Sequence, residues 1–142
     1  MSKVLIVYWS GTGNTEKMAE LITEGAREAG AETDCKRVGS VAVSDLAQYD
    51  VVAFGSPSMG AEVIEEAEME PFFVEALPTL KERKTAIFGS YGWGDGEWLK
   101  TWSERLKQGG AVIMDEGLAV QESPDEAASS ACRAWGAKLA SF

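Results

Sequence analysis

Ser10, Thr12, Asn14 and Thr15 stand in the stretch SGTGNT, between an apolar run that ends at Tyr8 and the start of a helical pattern. Their hydroxyls and amide, with the backbone N–H groups of Gly11 and Gly13 at the head of a helix, are neutral donors suited to an anion. A dinucleotide-type GxGxxG would need glycine at Glu16, and a Walker loop would need a Gly-Lys-Ser/Thr that occurs nowhere in the chain. What fits is a single terminal phosphate wrapped without lysine or arginine; an ordinary polar turn with a helix cap is the plainer reading of the same residues. Two more segments are candidates. GSPSMGAEVIEE, from Gly55 to Glu66, carries Met59 and Gly60 beyond an apolar run, where a methionine either fills a gap in the core or faces a ligand. GSYGWGDGEW, from Gly89 to Trp98, has glycine at four of its first eight positions. Glycine on either side of Trp93 indicates a tight backbone that approaches something closely, with Tyr91 and Trp93 as either a cap on the core or a platform for a flat ligand.

Such segments act together only if the fold brings them to one edge. VLIVY (Val4 to Tyr8), DVVAFG (Asp50 to Gly55) and TAIFGS (Thr85 to Ser90) read as strands covered on both faces. ETDCKRV (Glu32 to Val38) alternates, and AVIM and LAVQ, near Ala111 and Leu118, read as one final strand interrupted by Asp115 to Gly117. Between them Met18, Leu21, Ile22, Gly25, Ala26 and Ala29 recur at helical spacing before Gly30, and Trp98, Leu99, Trp102 and Leu106 do so before Gly109 and Gly110. A last helix is expected from SPDE, with Ser123 as cap, Pro124 in the first turn and Glu126 closing a capping box; Ala128, Ala131, Cys132, Trp135 and Leu139 then face inward. Glu65 to Leu77 is helical in pattern, but Pro71 lets the helix start only at about that point or just before. Strands alternating with helices specify an α/β chain, a doubly wound parallel sheet with helices on both faces, as one domain over residues 1–142. In that architecture ligands sit beyond the carboxyl ends of the strands, where the strand order reverses, so the three loops converge.

Composition narrows the chemistry. The 142 residues suffice for one domain that buries roughly two thirds of its unfolded surface. Cys35 and Cys132 form no CxxC pattern, so neither a disulfide framework nor a thiolate metal site is indicated, and Cys132 reads as core. Histidine is absent, which removes the commonest metal ligand and the usual general base. A net charge of -10, from 13 basic and 23 acidic residues, opposes binding to nucleic acid or an anionic membrane. No apolar stretch approaches the ~18 residues of a membrane span, and a cytoplasmic location is expected.

With these residues in place the chain resembles a short-chain flavodoxin over essentially its whole length. The resemblance rests on the loop Ser10 to Thr15, the Met59-Gly60 turn followed by Glu62, GSYGWGDG, and VQESPDE from Val120 to Glu126. It implies a five-stranded sheet in the order 2-1-3-4-5 and flavin mononucleotide (FMN) as the cofactor. Flavodoxin, with FMN at the switch between its first and third strands, is itself a standard example of the strand-reversal rule, so that placement comes with the resemblance.

Carried onto this sequence, the resemblance implies that Ser10, Gly11, Thr12, Gly13, Asn14 and Thr15 hold the FMN phosphate. Met59 and Trp93 flank the flavin ring, Glu62 accepts from its N3–H, and Ser90, Tyr91, Gly92, Gly94 and Asp95 line its edge. Gln121 reaches the ribityl chain; Trp9, next to the phosphate loop, either touches the ligand or only packs. Gly60 is the redox-linked element: the Met59-Gly60 peptide turns over on one-electron reduction, which glycine permits because positive φ costs it little. Two departures from the family are Ala61, where a polar residue is frequent, and the variable stretch Ser56 to Ser58, from which no phosphate ligand is assigned. The activity implied is a low-potential one-electron carrier, not a turnover enzyme, that moves between neutral semiquinone and anionic hydroquinone.

Its expected partners are reductases or oxidoreductases that dock on an acidic face near the flavin, with the chain a monomer. The glutamates from Glu62 to Glu70 supply that face or are a solvated helix surface. The alternative is a flavodoxin-like flavin enzyme such as an NAD(P)H-dependent quinone reductase. A response-regulator receiver would need acids where Tyr8, Trp9 and Ser10 stand, and a low-molecular-weight phosphatase would need arginine where Val41 or Lys138 follows a cysteine.

Overall fold

The structure, a computed structural model, describes residues 2–60 and 62–142, so Ala61, one of the two departures, lies outside the described residues. Strands β1 (Lys3–Tyr8), β2 (Glu32–Arg37), β3 (Val51–Gly55) and β4 (Lys84–Tyr91) pair in parallel. They alternate with helices α1 (Asn14–Glu28), α2 (Met69–Ala76), α3 (Glu97–Gln108) and α4 (Glu126–Ser141). The strand order is 2-1-3-4-5, as the resemblance implies. Its fifth position is filled by two short strands, β5 (Val112–Ile113) and β6 (Leu118–Gln121), both paired to β4. Thr85 faces Ile113 while Phe88 faces Leu118, so Ala86 and Ile87 of β4 are opposed by the longer run Met114 to Gly117. Asp115 holds that bulge: Oδ1 accepts from Gly117 N and Oδ2 from the Trp135 indole.

Alternation along β1 divides the core. Val4, Ile6 and Tyr8 face α1 and α4, whereas Leu5 and Val7 face the side covered by α2 and α3. On the second side Phe54, Phe73 and Trp102 meet edge to face or tilted, with Phe73 centred 5.6 Å from each of the others. On the first, glycines let α1 and α4 touch backbone to backbone: a Cβ on Gly25 would collide with the Arg133 carbonyl, and one on Gly136 with that of Ile22. Cys132 is fully buried there, and burial pushes its thiol up to about 11.

Two details of the helices differ from expectation, and a third agrees with it. α4 is capped by Asp125, not Ser123; Asp125 Oδ1 accepts from Ala128 N at 2.8 Å. An ionised carboxylate is the stronger acceptor at a helix N-terminus, and Pro124 then falls before the helix, where it is buried. Ala29 and Ala131 are exposed: the first is already the C-cap of α1, and the second turns to solvent beside buried Cys132. α2 begins at Met69, two residues before Pro71, which occupies a first-turn position whose missing N–H costs nothing.

Candidate functional site

β1 and β3 are neighbours although β2 intervenes in sequence, so the chain leaves the sheet in opposite directions on either side of their junction. Three loops rise there. In the first, Trp9 N still pairs with Gly55 O, and the chain then turns into α1 through Gly13, whose φ of 99° suits glycine. Gly13 is the N-cap and has no side chain to do the capping; Ser10 Oγ does it instead, accepting from Gly13 N and Glu16 N at 3.2 Å each. The Ser10 hydroxyl therefore keeps its own proton to donate. Thr15 is buried, and its hydroxyl lies 2.7 Å from that of Ser90, which ties the first loop to the third. Among the described residues the backbone N–H groups of Gly11, Thr12, Asn14 and Thr15 find no acceptor, nor do the Thr12 hydroxyl and Asn14 amide find a partner.

The second loop is anchored at its base. Ser56 is fully buried; its hydroxyl accepts from Glu65 N and its carbonyl accepts from the Trp98 indole. The Glu65 carboxylate, 4% exposed, accepts from the backbone N–H of Ala67, Glu68 and Met69 at 2.7 to 2.8 Å and so closes the head of α2 from inside. Between these anchors Ser58 N donates to Ser90 O, and Met59 N to Val63 O. The Met59 carbonyl is turned into its own turn, where it accepts from Glu62 N at 2.7 Å. Gly60 is exposed with φ outside the left-handed region, so the expected use of positive φ at Gly60 is not what this conformation shows; Glu62 carries the positive φ of the turn, at 53°.

The third loop bends through Gly94 and Gly96, both at positive φ. A Cβ on Gly94 would collide with Glu62 Oε1, a buried carboxylate oxygen with no hydrogen-bond partner among the described residues. An ionised oxygen held out of water without a donor is costly unless a ligand supplies one. Tyr91 rests on Trp98 with ring centres 5.5 Å apart, and Trp93 stands 64% exposed.

A cavity of about 260 Å³ opens between the loops. Of the residues the sequence singles out, Gly11, Thr12, Asn14, Met59, Ser90, Tyr91 and Gly92 line it. Ser10, Gly13 and Thr15 lie behind that wall and shape it, while Gly60, Glu62, Trp93 and Gly94 belong to the flanking turns. Asp95 lines a separate groove with Leu99 and Lys100, and Gln121 spends its amide on the Gly92 carbonyl at 3.5 Å.

Three residues escape the sequence reading, and Trp9 takes both of its alternatives. Trp9 lines the cavity as well as packing on the core, with its indole donating to Glu68 at 2.8 Å; Pro57, Ser58 and Glu122 also line it. Glu122 enters because its N–H bonds the Tyr91 carbonyl at the end of the β4 to β6 pairing, a neighbour relation only the interrupted last strand reveals. Most of the glutamate band is engaged within the chain: Glu65 caps α2, Glu68 holds Trp9, and Glu70 makes a bidentate pair with Arg105 at 2.6 and 2.7 Å. Glu66 remains exposed.

Unpaired N–H donors on one wall and an orphaned carboxylate oxygen beside another suit a ligand with an anionic tail and a donor on a flat head, as FMN has. The flavodoxin family model matches residues 6–136. A flavodoxin of Clostridium beijerinckii is 46% identical over 137 residues, which cover 96% of this chain and 99% of the relative. One of Megasphaera elsdenii is 46% identical over 124 residues, covering 87% and 90%. The solution structure of the two-electron reduced M. elsdenii flavodoxin superposes with a TM-score of 0.89 at 44% identity, over 98% of this chain and 99% of that one. Fold, donor set and relatives agree: the chain belongs to the flavodoxin family of electron carriers, and its cofactor is FMN.

Proposed function

We propose that the chain is a low-potential one-electron carrier that works between neutral semiquinone and anionic hydroquinone, and not a turnover enzyme. The observation that supports this best is the Met59-Gly60 turn, fastened at both ends yet held in its middle by the Glu62 N–H to Met59 carbonyl bond. FMN supplies the redox chemistry; the residues supply its surroundings. Gly11, Thr12, Asn14 and Thr15 hold the phosphate, Glu62 accepts from the ring, and Met59 and Trp93 shield its faces from water. The Met59 carbonyl is the group that exchanges its Glu62 partner for a proton-bearing ring nitrogen when one electron is added. Glu62, Glu65 and Glu68 disfavour a second negative charge; an exposed carboxylate such as that of Glu68 contributes only ~0.4 kcal/mol at ~10 Å in water, and a buried one such as that of Glu65 is screened less.

Gly60→Ala tests the reading. A Cβ there meets nothing within 4 Å among the described residues, and φ at Gly60 lies outside the left-handed region, so the present turn accepts alanine. The turned-over arrangement, which needs positive φ, is penalised by ~1 kcal/mol. Potentiometric titration is expected to show the first reduction step shifted by ~40 mV to lower potential, at an unchanged melting temperature. Two-electron reduction of the wild-type chain without an accumulating one-electron species, or direct turnover of NAD(P)H with a quinone, would favour the enzyme alternative.

We further propose that the chain acts as a monomer in the cytoplasm and meets basic redox partners at the loop edge. Glu66, Asp95, Glu97 and Glu122 are exposed there, while residues 38–80 contain no lysine or arginine. Among the described residues no helix is long and apolar enough to cross a membrane. Electron transfer to a basic partner should slow as ionic strength rises. A rate indifferent to salt removes this docking surface.

A further inference from the structure

The first loop contains no cation, yet a guanidinium reaches it from outside. Arg37, the last residue of β2, lies opposite Tyr8, the last of β1, in the parallel register. Its Nη2 donates to the Ser10 carbonyl at 2.8 Å, its Nη1 lies 3.5 Å from Glu16 Oε2, and the guanidinium sits 5.5 Å from the centre of the Tyr8 ring. The Tyr8 hydroxyl donates to the same Glu16 oxygen at 2.8 Å. Burial, and then the Glu16 carboxylate, push that hydroxyl up to about 12, so it keeps its proton at neutral pH. A ring, a carboxylate and a carbonyl thus fix the guanidinium, and its fork suits bridging two acceptors.

The Ser10 carbonyl and the Gly11 N–H are the two ends of one peptide unit. Gly11 lines the cavity, and its N–H is among those without an acceptor. A cation bonded to the carbonyl oxygen draws electron density from the peptide and makes the N–H at the other end a stronger donor to an anion. We propose that Arg37 is a positioning and polarising residue of the first loop: through the Ser10-Gly11 peptide it tightens the hold on the FMN phosphate without touching it. The proposal rests on reading that loop as the phosphate site. Glu16 acts in the opposite sense, since its carboxylate draws on the Arg37 charge and adds a negative one beside the loop. Affinity is therefore set by two residues of opposite sign, neither of which lines the cavity.

The test titrates the flavin-freed wild-type chain, Arg37→Gln, Arg37→Lys and Glu16→Gln with FMN and with riboflavin, which has the same ring and ribityl chain but no phosphate. Arg37→Gln is expected to weaken FMN binding about fivefold and to leave riboflavin binding unchanged. Glu16→Gln is expected to tighten FMN binding, and Arg37→Lys, which keeps the charge but not the two-acceptor bridge, to fall between wild type and Arg37→Gln. In the FMN-loaded protein the Gly11 amide proton should move upfield in Arg37→Gln, a signature that loss of general stability does not produce. Equal weakening of both flavins, or of neither, overturns the proposal, as does a Gly11 amide that stays in place while FMN affinity falls. A wild-type chain that binds riboflavin as tightly as FMN overturns instead the reading of the loop as the phosphate site.

Discussion

Replacing Glu65 by alanine is expected to lower the unfolding free energy by about 3 to 5 kcal/mol, a large share of what holds most domains folded. The Glu65 side chain is the acceptor for three consecutive backbone N–H groups at the head of α2, in a place only 4% exposed. Bonds to an ionised acceptor are the stronger kind, and alanine leaves three donors without theirs, the Met69 N–H among them buried where water reaches poorly. Glu65→Gln separates charge from shape. Its amide oxygen can keep the bonds from Glu68 and Met69 N–H, but its NH₂ then faces the Ala67 N–H, donor against donor. An intermediate loss is expected. Because the Glu65 N–H also bonds the Ser56 hydroxyl, loosening this base frees the segment that presents Met59, and FMN affinity should fall in the same order as stability. Urea unfolding of the two variants checks this; an alanine variant within about 1 kcal/mol of wild type would show the carboxylate to be dispensable.

Glu65 also shows where reading from sequence stops. In the sequence it is one of a run of glutamates, and neither a docking band nor a solvated helix face suggests a buried cap. The fact that decides its role is that α2 starts at Met69, which local pattern places only within a few residues of Pro71. Periodicity served well where one face of an element meets one layer. The apolar runs of β1, β3 and β4, the stripe Trp98, Leu99, Trp102, Leu106, and the break in the last strand all follow from local spacing. The first loop reads as an anion site because its donors are contiguous.

What was not legible arrives from across the sheet. Arg37 reaches the first loop only because β2 lies beside β1 in a register that aligns their final residues, and Trp9 reaches the cavity because Glu68 holds its indole from another loop. The family order of strands already implied the first of these neighbours. Reading the ends of adjacent strands against one another would have found Arg37.

FMN is expected to bind at least about a thousandfold more tightly than riboflavin at the same pH and ionic strength. Gly11, Thr12 and Asn14 line the cavity with Thr15 behind them, and the backbone N–H groups of all four, with the Thr12 hydroxyl and the Asn14 amide, have no partners among the described residues. A hydrogen bond from such a donor to a charged oxygen contributes ~1.5–3 kcal/mol, so even after most of the total is offset by desolvating the phosphate, ~4 kcal/mol remains. The donors are held in place by the Ser10 hydroxyl and the Arg37 guanidinium before any ligand arrives, so little ordering is left to oppose binding. Salt dependence distinguishes this design from a lysine-lined phosphate site. The field of a chain with net charge -10 repels an incoming dianion, and added salt screens that repulsion. FMN affinity should therefore stay level or rise between low and moderate ionic strength, where a site built on exposed cations would lose affinity. Isothermal titration of both flavins at two salt concentrations measures both quantities. Equal affinity for the two flavins would remove the phosphate from the first loop, and a steep loss of FMN affinity with salt would mean that exposed cations, not neutral N–H groups, hold it.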